Sequence, residues 1–222
     1  MKDHQGQLIS PGEFVPAAER YNLMPEVDQW VIRHLFCELQ MCGISTPSIY
    51  SINLSGATLS SDELLDFVQE QFSRYQIDYS SICFEVTETY AMTNLKKVVA
   101  FIQALKGLGC QFALDDFGRG MSSLGCLKEL PVDYLKIDGC FIRNIVNDPI
   151  SAAMVESIHH IAHVMGLKTV AEYVVNQQTL DMLQVLKIDY GQGYAIAKPL
   201  PLSTILKQDS TQPKTSQGLL TV

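Results

Sequence analysis

Gln111-Phe112-Ala113-Leu114-Asp115-Asp116 is a short apolar run that stops at two adjacent carboxylates, and the same design recurs along the 222-residue chain. Asn53 closes the run Ile49–Leu54. Ile82–Val86 carries Glu85 and is followed by Glu88. Tyr134–Ile137 holds Lys136 and runs into Asp138, Thr169–Ala171 runs into Glu172, and Asp189–Tyr194 contains Gln192. Short apolar runs bounded by polar and turn residues read as strands. The stretches between them have helical spacing. Met24–Met41 carries Val27, Trp30, Val31, Leu35 and Leu39 on one face. Leu64, Leu65, Val68 and Phe72 form a second stripe, and Val98, Phe101, Ile102 and Leu105 a third. Ile150, Met154, Ile158, Ile161 and Met165 mark the longest helix. Ser61-Asp62-Glu63 opens one helix, and Gly109 and Gly166 follow the ends of two others.

Alternating strands and helices imply a parallel sheet with helices packed against it. Six such units fit an open doubly wound sheet or part of a (β/α)8 barrel. The polar residues decide between them. In a barrel the C-terminal strand ends converge on one mouth. An open sheet spreads them along a line and gathers only those near its switch point. Five of six strands end in a loaded residue and the sixth holds Gln192, which favours an α/β barrel of the TIM type with two of its eight strands not in the chain.

Composition bounds the function. Hydrophobic residues make up 47% and charged residues 18%, a globular balance. A net charge of −8 argues against a broad nucleic-acid surface, so no DNA partner is expected. No apolar stretch is long enough to span a bilayer, and the polar start lacks a signal-peptide core, so a cytoplasmic location without membrane contact is expected. The six cysteines, Cys37, Cys42, Cys83, Cys110, Cys126 and Cys140, form no C-x-x-C pair and read as reduced. The domain is expected over 1–207, with 208–222, rich in Ser, Thr and Gln, as a disordered tail.

Convergence would place Asn53, several carboxylates and Lys136 in one small volume. Such a cluster needs a counter-cation, and oxygen donors suit hard divalent ions. Adjacent Asp115 and Asp116 can serve two ions, a device for in-line phosphoryl displacement. Each residue also has a plainer reading. A lone strand-end Asn or Glu is usually a cap or turn, and Asp115-Asp116-Phe117-Gly118 reads equally as a turn and helix cap. Lys136 reads as a surface residue or as a Schiff-base lysine of an aldolase barrel. Their repetition in successive units favours a site. His159, His160 and His163 lie off the apolar stripe without an H-E-x-x-H pattern, and read as a solvated face.

These residues fall in segments that resemble the EAL family. Asn53-Leu54-Ser55 is similar to its N-L-S segment, Glu85-Val86-Thr87-Glu88 to E-x-T-E, and Leu114-Asp115-Asp116-Phe117-Gly118, continued by Ser122-Ser123-Leu124, to its D-D-F-G loop. Leu130–Asp138 follows L-P-V-D-x-L-K-I-D. Val170-Ala171-Glu172, Gln192-Gly193-Tyr194 and Lys198-Pro199-Leu200 complete the order. The resemblance spans essentially residues 8–202. It implies a (β/α)8 barrel that cleaves cyclic di-GMP to linear pGpG with Mg²⁺ or Mn²⁺. It further implies that Asn53, Glu85, Asp115 and Asp116 ligate metal, that Lys136 and Glu172 position and activate water, and that Glu88 holds the D-D-F-G loop. Gln192 and Pro199 would lie at the ligand. A homodimer, or a linked GGDEF or sensory domain, is the implied partner.

Three departures are visible. Met1 stands where the family has already passed its E-A-L strand, so its first two strands, one metal-ligating glutamate and one arginine are expected to be missing from this chain. Arg119 and Met121 replace the usual Thr and Tyr. Ala171-Glu172-Tyr173-Val174-Val175-Asn176 replaces A-E-G-V-E-T, losing a glycine and a second glutamate. The runner-up reading is a catalytically inactive EAL module that acts as a cyclic di-GMP receptor or protein-interaction domain. Missing strands would also leave bare edges on Ile49–Leu54 and Asp189–Tyr194, which favours dimerisation.

Overall fold

The computed structural model describes residues 4–7, 9–42, 48–119, 124–209 and 220–221. Helices α1 (Pro11–Arg20) and α2 (Met24–Cys42) precede strand β1 (Tyr50–Leu54). Helices α3 (Gly56–Leu59) and α4 (Leu64–Tyr75) lead to β2 (Ile82–Thr87), and α5 (Glu88–Thr93) and α6 (Leu95–Lys106) to β3 (Gln111–Phe117). Then come α7 (Leu124–Leu127), β4 (Tyr134–Ile137), α8 (Gly139–Ile142), α9 (Pro149–Val164), β5 (Lys168–Ala171), α10 (Gln177–Val185), β6 (Tyr190–Gly191), α11 (Leu202–Asp209) and β7 (Leu220–Thr221). All ladders are parallel, in the order β6-β5-β4-β3-β2-β1-β7. The six strands β1–β6 form a curled half-barrel with helices packed against it, as the strand–helix alternation requires.

Side-chain alternation separates the two faces of the wall. Ile52, Leu54, Phe84, Val86, Phe112, Leu114 and Leu135 face the helices and join the main core with Ile32, Phe36, Val68, Phe72, Val98 and Ile102. The opposite parity gives an inner layer of Cys83, Ala113, Tyr134 and Val170, with Ile49 and Tyr190 against it. Two residues further along, the same parity gives Glu85, Asp115, Lys136, Glu172 and Gln192, with Asn53 in register beside Glu85. The polar set is thus the next layer above an apolar plug. A repeated clasp closes the other end of the wall. Asp133, just before β4, accepts from the Phe112 amide at 2.9 Å, and Asp189, just before β6, accepts from the Thr169 amide at 2.8 Å.

The structure departs from the sequence reading in several places. Trp30 is not in the stripe of α2; it is 60% exposed, and Asp28, Ile32, Leu35, Phe36 and Leu39 are buried instead. Asp28 can take an apolar position because it accepts from the Ser55 amide at 2.8 Å and the Thr58 hydroxyl at 2.6 Å. In α9 the buried residues are Val155 and Ala162, while Ile150 and Met154 face solvent. The smaller side chains allow α9 to lie closer to the wall. That phase brings His159 to a half-buried position, where its Nδ1 contacts the Thr169 hydroxyl at 2.8 Å; His163, although exposed, pairs with Asp189 at 2.8 Å, and His160 faces solvent.

Strand β3 runs past Leu114 to Phe117, and β6 is only Tyr190–Gly191. One of the two edges expected to be bare is partly covered, since β7 pairs with Tyr50 and Ser51 of β1. The tail expected from 208 therefore contains, among its described residues, the end of α11 and strand β7; residues 210–219 and 222 lie outside the described residues, as do Met121, Ser122 and Ser123 of the D-D-F-G region. No helix among the described residues is long and apolar enough to cross a membrane. The six cysteines are free thiols.

Candidate active site

The polar layer is organised around Lys136. Its side chain, only 2% exposed, lies at the centre of three carboxylates, with Glu85 Oε2 at 2.5 Å, Asp115 Oδ1 at 2.8 Å and Glu172 Oε1 at 2.8 Å. These come from four different strands or strand ends, so only the curled sheet brings them together. Burial alone would depress the lysine, but the charges of Glu85, Asp115 and Glu172 outweigh it and raise the ammonium above its ordinary value. Lys136 is therefore a fixed cation. A Schiff-base lysine must be available as the neutral amine, so this environment opposes the aldolase reading.

The carboxylates respond in the opposite sense. Burial raises Glu85 despite the neighbouring lysine, and burial pushes Glu172 up to about 7, with Lys136 opposing and Asp115 adding to the shift. Asp116 is raised by burial and then by the charge of Asp115. Asp116 owes its place to a bulge. The β3–β4 register shifts between Leu114 and Phe117, and Asp116 has φ 56°. In an unbroken strand its side chain would face away from that of Asp115. Here the oxygens of Asp115, Asp116 and Glu172 lie within 4.8 Å of one another.

This donor set fits a hard divalent cation. Beyond the three clustered carboxylates, Glu85 Oε1 is buried without a hydrogen-bond partner, an acceptor with nothing to accept from. Asn53 pairs in register with Glu85 on the same face of the sheet, and its side chain is exposed at the rim of the group. Glu88, at the start of α5, accepts from the Gly118 amide at 3.0 Å and so ties the bulged loop to β2. Gly118 has φ 94°, and a Cβ there would come within 2.5 Å of the Phe141 ring, so the turn requires glycine. Asp138 caps α8 through the Cys140 amide at 2.7 Å.

Beside the acidic group opens a cavity of about 700 Å³, lined by Asp116, Asp138 and Glu172 and by Arg119, Arg143, Tyr173, Gln192 and Tyr194, with Arg119 3.8 Å from the Asp116 carboxylate. Gln192 bridges two segments through its backbone, donating to Ala171 and accepting from Val174, and its Oε1 is buried without a partner. Pro199 is exposed and does not bound the cavity. Arg143 was not legible from the sequence, because an arginine at the C-cap of a four-residue helix carries no periodic or motif signal. Its guanidinium lies 4.1 Å from the centroid of Tyr173, a cation–π pair facing the cavity. Tyr173 was legible as the aromatic that follows the strand-end glutamate in place of a glycine.

Comparison with known proteins places these features in a family context. Residues 1–199 match the EAL domain. The chain is 43% identical to the cyclic di-GMP phosphodiesterase PdeB of Shewanella oneidensis over 93% of its length, and 40% identical to PdeF of Escherichia coli over 94%. It spans about a quarter of the length of those relatives, 24% and 28%. Among solved structures it is similar to PaMucR phosphodiesterase in complex with c-di-GMP, with a TM-score of 0.86 and 31% identity over 92% of this chain and 83% of that one. It is also similar to the FimX EAL domain from Pseudomonas aeruginosa bound to c-di-GMP, with a TM-score of 0.83 and 27% identity over 90% and 80%.

Proposed function

Because the chain belongs to the EAL domain family, we propose that it cleaves one phosphodiester bond of cyclic di-GMP to give linear pGpG, with Mg²⁺ or Mn²⁺ held at the acidic mouth. The observation that carries this reading is the fixed ammonium of Lys136 surrounded by Glu85, Asp115 and Glu172 beside the Asp115–Asp116 pair. That arrangement combines acceptors for divalent cations with a buried donor for an anionic group.

Asn53, Glu85, Asp115 and Asp116 would hold the metal, which supplies charge stabilisation and an activated water when bound. Lys136, permanently charged, donates toward the phosphate or the attacking water and offsets charge that develops on the phosphoryl oxygens. Glu172 touches Lys136 and the Asp115–Asp116 pair and has a carboxyl near neutrality in the metal-free chain, which suits a proton acceptor. Glu88 is a positioning residue acting through the Gly118 amide. Gln192 and the Arg143–Tyr173 pair face the space left for the nucleotide.

The test is turnover of cyclic di-GMP in Mn²⁺, read as pGpG by chromatography. Asp115→Asn should abolish product without unfolding the protein. Activity independent of divalent metal, or untouched by Asp115→Asn, would refute the proposal. The second reading, a receptor that binds without turnover, draws on Tyr173 and Val175, which stand where the family has glycine and glutamate. Tight binding with no product from the folded, metal-loaded protein would favour it. We further propose self-association through the sheet edges or a linked GGDEF or sensory domain, and a cytoplasmic setting. Light scattering across concentrations checks the first.

A further inference from the structure

We infer that His159, His163 and Asp189 form a binding site for a late first-row divalent cation of the zinc class, on the outer wall of the half-barrel and separate from the acidic mouth. One nitrogen from each imidazole and one carboxylate oxygen lie within 4.8 Å of one another. The two histidines occupy positions i and i+4 of α9, so both face the same way, and their ring centroids are 4.0 Å apart. Two of the three donors are already held in place. The Thr169 hydroxyl donates to Asp189 Oδ2 at 2.9 Å and contacts His159 Nδ1 at 2.8 Å, while the Thr169 amide donates to the same carboxylate oxygen at 2.8 Å. Thr169 is buried and acts as the outer support that metal-binding histidines and carboxylates ordinarily have.

A comparison within the protein shows that the histidines are not needed for the structural clasp. Asp133 makes the same bond to the preceding strand, through the Phe112 amide, and its charge is met by Lys106 at 2.5 Å. At Asp189 the corresponding place is taken by the His163 imidazole, at 2.8 Å, with the His159 ring beside it. A lysine can only neutralise a carboxylate; a pair of neutral imidazoles supplies lone pairs. Two nitrogens and one carboxylate oxygen suit zinc and its neighbours better than Mg²⁺ or Ca²⁺, and three protein ligands leave a position for water. Thr169 lies on the helix-facing side of β5 and Asp189 precedes β6, at the opposite ends of these strands from Glu172 and Gln192. An ion here would pin the last turns of α9 to β5 and β6.

The experiment titrates zinc chloride and cobalt chloride into the metal-free chain. To silence the acidic mouth, the parent for titration carries Asp115→Asn and Asp116→Asn. That parent should bind one equivalent of zinc, and its cobalt complex should show visible absorption bands of a nitrogen-containing, low-coordinate site. Adding His163→Gln should weaken zinc binding about tenfold or more. Loss of all zinc binding in the silenced parent, or equal affinity after His163→Gln, would overturn the site. His163→Gln alone, in the otherwise unaltered chain, repeats the test if the silenced parent does not fold. Its zinc-dependent rise in melting temperature should be smaller than that of the unaltered chain, since only the acidic mouth still binds, and a rise equal to that of the unaltered chain would overturn the site.

Discussion

Lys136→Met keeps an unbranched side chain, one atom shorter, and removes its charge, leaving Glu85, Asp115 and Glu172 facing a vacated centre at former distances of 2.5, 2.8 and 2.8 Å. At 2.8 Å and an effective dielectric near 20, each contact represents about 6 kcal/mol of gross Coulomb attraction. Most of that is offset by the cost of burying the charges. Removing one partner of a buried ion group leaves a net loss of about 3–5 kcal/mol. For a chain of this size each kcal/mol lowers Tm by about 2–4 °C, so the variant should melt about 6–20 °C below the parent in chelator.

The loss should depend on pH in a defined direction. Glu85 and Glu172 already have folded-state pKa values above their ordinary ones, and losing the ammonium raises them further. A carboxyl raised on folding contributes stability below its unfolded value, and that contribution disappears as pH rises through its folded value. The gap between parent and variant should therefore be small near about pH 5 and widest near about pH 8, as protons that relieve the repulsion are lost. Thermal melts in chelator across this range measure it. Adding Mn²⁺ should restore part of the lost stability, since a divalent ion replaces the missing positive charge. Equal melting temperatures at about pH 8, or a gap that narrows as pH rises, would refute the ion-cluster reasoning.

Glu88→Ala removes the acceptor of the Gly118 amide. It should cost about 1–3 kcal/mol in chemical denaturation and reduce turnover, while Glu88→Gln, which keeps an acceptor oxygen, recovers most of both. Gly118→Ala places a Cβ 2.5 Å from the Phe141 ring at φ 94° and should destabilise the protein by about 1–3 kcal/mol. Asp28 is raised by burial, with bonds from Thr58 and Ser55 opposing the shift. Its contribution is present below the unfolded value and lost as pH rises through the folded one, so the stability of the parent relative to Asp28→Asn should fall as pH rises above about 4. A difference that does not change with pH would remove Asp28 from that account.

The strand starts were legible because each apolar run begins after a polar break, and Tyr134–Ile137 is the clearest example. The chemistry was legible because alternation alone carries Asn53, Glu85, Asp115, Lys136 and Glu172 to the inner face. What sequence could not show was departure from regular geometry. The bulge that turns Asp116 beside Asp115 has no periodic signature, so β3 was expected to end at Leu114 and not at Phe117. Helix phase failed where two apolar faces competed. Ile150 and Met154 are larger than Val155 and Ala162, yet close packing against the wall selected the smaller pair. His159, read as part of a solvated face, is half-buried for the same reason, whereas His160 and His163 are exposed as expected.

Strain also separates the readings of the site. Asp116 and Tyr173 adopt left-handed backbone, φ 56° and 58°, and both bound the cavity. Each conformation costs a non-glycine residue about 1–2 kcal/mol. Glycine would remove that cost at either position, so the side chains need a compensating use. Asp116 joins two other carboxylates within 4.8 Å, and Tyr173 lies under the Arg143 guanidinium at 4.1 Å. The cavity lining thus combines acceptors for cations with an aromatic face beside a cation. Aromatic and arginine planes stack on nucleobases, and metal-laden carboxylates serve phosphodiesters. A cyclic dinucleotide carries both groups a few bonds apart. A small aldehyde or ketone carries neither, and would leave the strain at Asp116 and Tyr173 without a purpose.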